Sequence, residues 1–286
     1  MTKRMVDSPE APGREAEEVE GEGRGAAFFD LDKTLMAGSS GMVFARVAAN
    51  HGLVGRKQMA RWGMDHLRYR LVGATDEQTD ALLRVARKTF EGVPRRELAR
   101  LGPEVMAGIL PRIYPQMLDE VHHHEDEGRA TFIVSAAGND MVMELARVLG
   151  MSGGIGTAYE VGADDFYTGR LDGPFVYGEG KVEAMEQFAA EHGIAMAASW
   201  AYSDSASDLP MLRAVGNPVV VNPDHALLEV ARAEGWRVIR FEQLGRKLAI
   251  AAAASLAALA GTSSRALIAR RREGRRFRSM RARRRR

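Results

Sequence analysis

Short apolar runs that halt at a polar residue set what this chain can fold into. Ala26-Ala27-Phe28-Phe29 halts at Asp30, Thr131-Phe132-Ile133-Val134 halts at Ser135, and Trp200 to Ser203 runs straight into Asp204. Runs this short suit strands buried on both faces. Gly154 to Ala158, Val219-Val220-Val221 and Val238-Ile239 supply further strands, and Glu160 to Gly180 has the alternation and turn residues of a hairpin. Between the runs lie stretches with helical spacing: about 139 to 149, closed by Gly150; Lys181 to His192; and one that begins near Asp208. Strands that alternate with helices predict an α/β chain whose parallel sheet is covered on both faces.

Residues 41 to 128 break that rhythm. They contain no strand-like run, show helical spacing at Met42, Val43, Val47 and at Leu82, Leu83, Val85, Ala86, and are divided by glycines and by Pro94, Pro103, Pro111 and Pro115. The expected organisation is a disordered, Glu- and Gly-rich tail over 1–25, a core made of 26–40 and 129–245, a helical insert over 41–128, and an apolar helix with an Arg-rich tail over 246–286. The chain lacks cysteine, which excludes thiolate metal sites and cysteine nucleophiles and fits a reducing compartment. Residues 1 to 25 hold no apolar h-region, so no signal peptide is expected among them.

In open parallel sheets, polar side chains gathered at the carboxyl ends of strands form the ligand site. Here those positions hold Asp30 with Asp32 and Thr34, then Ser135, and Ser203-Asp204 with Asp208; Lys181 opens the following helix. Each has an ordinary reading alone: a turn for the aspartates, a helix cap for Ser135 or Asp208, a solvated lysine for Lys181. Together, several carboxylates converging with one lysine would repel one another without a cation. Oxygen donors alone select a hard ion, Mg²⁺ before Zn²⁺, and Mg²⁺ with few carboxylates usually shares its shell with a phosphate. Lys181 and a strand-end hydroxyl suit the remaining phosphate oxygens.

These residues resemble the four ordered motifs of the haloacid dehalogenase superfamily. The Asp-x-Asp-x-Thr pattern is Asp30-Leu31-Asp32-Lys33-Thr34, the hydroxyl after a strand is Ser135, the lysine is Lys181, and the acidic pair is Asp204 with Asp208. The resemblance implies a Rossmann-like parallel-sheet core with a helical cap inserted after the first strand, as in the phosphoserine-phosphatase-like branch. It implies a phosphatase with Asp30 as nucleophile and Asp32 as general acid and base. Mg²⁺ would be held by Asp30, the Asp32 backbone carbonyl and Asp204, supported by Asp208. Thr34, Ser135 and Lys181 would bind the phosphoryl group. Departures from phosphoserine phosphatases point to a different small phosphorylated metabolite. Met36 to Ser40 carries no acid for a substrate ammonium, Ala136 and Ala137 replace glycines, and Lys33 replaces a small residue.

Other features stay outside this pattern. His122-His123-His124 precedes three acids and reads as a solvated helix end, since neighbours on a helix point about 100° apart. Arg68 and Arg70 either meet an anionic substrate or lie on the surface. From Arg265 to Arg286 twelve arginines face Glu273 alone, a net +11, which leaves −9 for the rest of a chain whose formal charge is +2. Leu248 to Ser264 is uncharged and Ala-rich. Three readings stand for this end: a short membrane span, a helix packed on the body, or a peripheral anchor on anionic membrane or nucleic acid. The expected location is cytoplasmic, with or without peripheral membrane association. A protein of the same fold recruited for binding or regulation is the alternative to an enzyme.

Overall fold

The computed structural model describes residues 23–53 and 84–241, apart from 85, 86 and 89. The expectations for the N-terminal tail, for Arg68 and Arg70, and for everything from residue 242 onward therefore lie outside the described residues. Among the described residues no helix is long and apolar enough to cross a membrane.

Six parallel strands form one sheet: β1 Ala26–Asp30, β2 Ala130–Gly138, β3 Gly153–Thr157, β6 Trp200–Ser203, β7 Asn217–Val221 and β8 Arg237–Ile239. Their order across the sheet is β3-β2-β1-β6-β7-β8. A separate antiparallel hairpin pairs β4 Tyr159–Val161 with β5 Tyr167–Leu171. The Rossmann-like α/β expectation is met.

Every residue of β1 is buried, because helices cover both sides of the sheet. The two-residue period sends Ala27 and Phe29 into one core with Ile133, Tyr202, Val219 and Val221. It sends Ala26 and Phe28 into the other with Phe132, Val134, Ala201 and Val220. The first core is closed by α1 Ser40–Asn50, α2 Arg95–Ile109, α3 Pro115–Asp126 and α4 Asn139–Val148 through Val43, Val105, Met117 and Leu145. The second is closed by α5 Glu179–His192, α6 Leu209–Arg213 and α7 His225–Ala233 through Met185, Met211 and Leu227. Packing of α4 on β3 depends on a missing side chain: a Cβ at Gly154 would lie 2.6 Å from Val142 Cγ1.

The described part of the insert region is helical. Pro103, expected to break a helix, instead sits within α2. Leu101, Val105, Met106 and Ile109 bury one face of that helix across the proline, so tertiary packing offsets the local cost. Pro94 and Pro115 stand at the N-termini of α2 and α3, where a missing N–H removes no helical bond. Helix α3 packs Met117 and Val121 into the same core as Phe29 and Ile133.

Candidate active site

The register of the sheet assembles the site. Asp30 ends β1 opposite Val134, and Phe29 lies opposite Tyr202. Ser135 on β2 and Asp204 just after β6 therefore stand beside Asp30 at the carboxyl edge. Strand order reverses here, since the chain moves outward from β1 to β3 and then returns across β1 to β6. Such a reversal leaves a crevice between helices on opposite faces.

Lys181, in the first turn of α5, is 2% exposed. Its Nζ donates to Asp30 Oδ1 at 2.6 Å and to Asp208 Oδ2 at 2.7 Å. Ser203 Oγ donates to the same Asp208 oxygen at 2.7 Å and accepts from the Ser205 N–H. Burial opposes the charge on Lys181, but Asp208 and Asp30 outweigh it and hold the pKa above the ordinary lysine value. Asp208 occupies the cap position of α6 yet makes no side-chain cap bond, because its carboxylate is turned to Lys181 and Ser203.

The other carboxylates are less well compensated. Burial pushes the Asp30 pKa up to about 7; Lys181 pulls it down, and Asp208 and Asp204 push it further up. Burial likewise lifts Asp204 to about 6 against the pull of Lys33. Lys33 adopts the left-handed conformation (φ 62), and its ammonium lies 3.4 Å from Asp204 Oδ2. Asp32 Oδ1 accepts the backbone N–H of Ser40 at 2.8 Å, at the start of α1. Thr34 is fully buried, and its Oγ1 has no hydrogen-bond partner among the described residues. Ser135 Oγ accepts from the Ala137 N–H at 3.2 Å.

Four carboxylates, Asp30, Asp32, Asp204 and Asp208, thus face two ammonium groups, Lys33 and Lys181. The formal excess is two negative charges, in a site where burial already raises two of the acids. No three acid or imidazole groups among the described residues converge closely enough to cage an ion by themselves. This donor set fits a hard divalent cation that keeps part of its water shell.

All seven residues singled out in the sequence lie at or beside this edge. Direct bonds join Asp30, Lys181 and Asp208, whereas Ser135, Thr34 and Asp32 have no side-chain bond to that triad. Sequence pattern does not reveal Ser203 as a support for Asp208 or Ser40 as a donor to Asp32. The only signal for Ser203 is its place next to Asp204 at a strand end.

The histidine run needs a correction. His122 and His123 are exposed, but His124 is 1% exposed. Arg129 Nε donates to His124 Nδ1 at 2.7 Å, which requires neutral imidazole with its proton on Nε2. Nε2 then donates to the Tyr202 hydroxyl at 2.8 Å, and that hydroxyl donates to Glu120 Oε2 at 3.0 Å. Arg237 holds both Glu120 oxygens at 2.8 and 2.6 Å. Burial, then Arg129 and His123, bring the His124 pKa down to about 4.

Residues 27–213 match the haloacid dehalogenase-like hydrolase family. A relative named a probable phosphatase, from Mycobacterium tuberculosis, is 34% identical over 265 residues, covering 91% of this chain and 90% of its own. A relative named histidinol-phosphatase, from Neisseria meningitidis, is 33% identical over 220 residues, covering 76% of this chain and 98% of its own. A crystal structure of a Bordetella pertussis protein described as of unknown function has a TM-score of 0.67 at 33% identity, over 76% of this chain and 98% of that one. The sheet order, the strand-end acids around Lys181 and these likenesses lead to one assignment: the chain belongs to the haloacid dehalogenase-like hydrolases.

Proposed function

We propose that this hydrolase is a Mg²⁺-dependent phosphomonoester phosphatase that works through an aspartyl-phosphate on Asp30. The reading is carried by one observation: a buried lysine bridges the candidate nucleophile to Asp208 in a site that remains two positive charges short. Relatives named phosphatases support it.

Asp30 Oδ1 is occupied by Lys181, and among the described residues Oδ2 accepts no hydrogen bond. Oδ2 is therefore the oxygen that attacks phosphorus. The bond from phosphorus to the alcohol oxygen breaks as the new P–O bond forms, and Asp32 gives its proton to the departing oxygen. The Ser40 N–H fixes Asp32 Oδ1 and leaves Oδ2 to carry that proton. In the second half, Asp32 takes a proton from water. The water oxygen attacks phosphorus, the bond to Asp30 breaks, and orthophosphate leaves. Thr34, Ser135 and Lys181 hold the phosphoryl oxygens; the Thr34 hydroxyl, unpartnered among the described residues, has a donor to give. Mg²⁺, held by Asp30, Asp204 and the Asp32 carbonyl with Asp208 orienting the set, would supply the missing positive charge. Of the insert over residues 41 to 128, α3 packs on the sheet; the part before it is read as a cap that limits water access and selects the substrate, a small phosphorylated metabolite other than phosphoserine.

The test is p-nitrophenyl phosphate hydrolysis with Mg²⁺ and with chelator, followed by mass spectrometry of acid-quenched protein. Turnover lost in chelator and restored by Mg²⁺, with phosphate on the Asp30 peptide, is expected. Undiminished turnover in chelator, or phosphate on another side chain, would overturn the mechanism.

A further inference from the structure

Beside the carboxylates, the loop after β1, the start of α1 and the turn after α2 border an open space of about 270 Å³. Its charged lining is Lys33, Arg46 and Arg112, and none of its lining residues is acidic. Lys33 is paired with Asp204 outside the lining, whereas the exposed Arg46 and Arg112 leave a local positive surplus that an anion would offset. Among the described residues neither arginine has a carboxylate partner: Arg46 makes no hydrogen bond or ion pair, and Arg112 Nε donates only to the Gly108 carbonyl at 3.1 Å. One wall is bare backbone. A Cβ at Gly38 would sit 3.5 Å from Arg112 Nη1, so the guanidinium lies against that wall with its remaining N–H groups available.

The space connects to the reaction through two residues. Lys33 lines it and also reaches Asp204. Ser39 lines it, and the next residue, Ser40, donates to Asp32. On the proposed function, Asp32 protonates the oxygen of the leaving alcohol, so the rest of that alcohol extends toward this space. From this arrangement we infer that the substrate is a phosphomonoester whose alcohol carries a second anionic group, a carboxylate or a second phosphate, bound by Arg46 and Arg112 with Lys33 at the junction. Guanidinium groups suit either oxyanion, since both accept paired N–H bonds. An alcohol bearing an ammonium would meet three like charges. The inference rests on the phosphatase reading and narrows it.

The experiment compares three small phosphomonoesters of similar size on the full chain with Mg²⁺: 3-phosphoglycerate (anionic), glycerol 3-phosphate (neutral) and phosphoethanolamine (cationic). The expected order of kcat/KM is anionic, neutral, cationic, with about tenfold between the first two at low salt. Arg46→Gln and Arg112→Gln should each shrink the anionic-to-neutral ratio about tenfold, through KM. Arg46→Glu should shift preference toward the cationic probe; circular dichroism checks that each variant folds. If p-nitrophenyl phosphate is hydrolysed but the three probes are equal, or the ratio ignores both arginines, the pocket assignment falls and the phosphatase reading stands. If nothing is hydrolysed, the phosphatase reading falls, and calorimetric binding of the same probes decides the pocket. Tighter binding of the anionic probe, lost in Arg46→Gln and Arg112→Gln, supports it; equal binding overturns it.

Discussion

Tyr202 and Ser203 are neighbours on β6, yet they belong to two polar networks of opposite character. Tyr202 joins His124, Glu120, Arg129 and Arg237 in a chain where the imidazole is neutral and each arginine meets a carboxylate, Arg237 on Glu120 and Arg129 on Glu127. Ser203 joins Asp208, Lys181 and Asp30, where carboxylates outnumber cations, and the buried Thr34 hydroxyl at the same strand edge has no partner among the described residues. Both networks place polar groups in the interior, His124 and Tyr202 in one and Lys181 and Asp208 in the other, but only the first is balanced by its own partners. A closed network holds elements together; an open one keeps its capacity for something else. Charge balance, more than burial or the number of polar groups, separates the strut from the site.

The sharpest way to break that contrast is Asp30→Asn. On the open side it should lower turnover of p-nitrophenyl phosphate about 10⁴-fold. It also removes one of several crowded carboxylates, so the melting temperature should hold or rise; a large fall in stability would mean that Asp30 is chiefly structural. Asp32→Asn comes next. An alkyl phosphate should lose about 10²- to 10³-fold in kcat, whereas p-nitrophenyl phosphate, whose leaving group needs no proton, should lose less than tenfold. Equal losses on both substrates would remove Asp32 from proton transfer.

The closed network should respond in stability instead. His124→Ala empties a buried site and strands the Tyr202 and Arg129 groups, which should cost about 3 kcal/mol in urea unfolding and leave KM unchanged. A change in KM without loss of stability would erase the distinction between the two networks. The smallest effect is a pH slope. His124 binds its proton at about 4 when folded, against an ordinary value of 6.5. Between those values the unfolded chain holds more protons, so stability falls as pH drops through the window and the contribution is intact above it. The loss should be about 2 kcal/mol, less than full linkage because Arg129 beside it is partly solvated. His124→Gln should flatten that part of the curve, and an unchanged slope would mean that other groups carry it.

Features set by neighbours along the chain are legible in the sequence. The halting runs that form β1 and β6, the breaks at Pro94 and Pro115, and the hairpin within 160–180 all follow from local pattern. The candidate site residues are legible because strand ends in a parallel sheet meet by rule; the acids and Ser135 stand at or just after such ends, and Lys181 opens the next helix. What escapes depends on partners far along the chain. His124 reads as solvated among His122, His123 and three acids, but Phe29, Trp200 and Tyr202 pack around its ring. Pro103 reads as a break, yet Leu101 and Ile109 anchor both halves of α2. Nothing near Arg46 announces Arg112, because the turn after α2 brings them together. Lys33 stands out in the sequence as an oddity of its motif, but its left-handed backbone and its reach to Asp204 are set by the fold.

The position of β1 has a consequence for how the chain comes to fold. Phe28 lies between Phe132 and Ala201, so β1 leaves the ribosome ahead of both its neighbours and acquires the first only after the insert and the second only with β6. Until then an apolar strand with two unpaired edges must wait, exposed to pairing with other chains. Closing such distant contacts is slow. Asp30 and Asp204 can meet only in the last stage, so a partly folded chain cannot hold the ion or the substrate. Truncation before Trp200 should therefore yield an insoluble product, not a weak enzyme, and slower synthesis or lower temperature should raise the yield of the full chain.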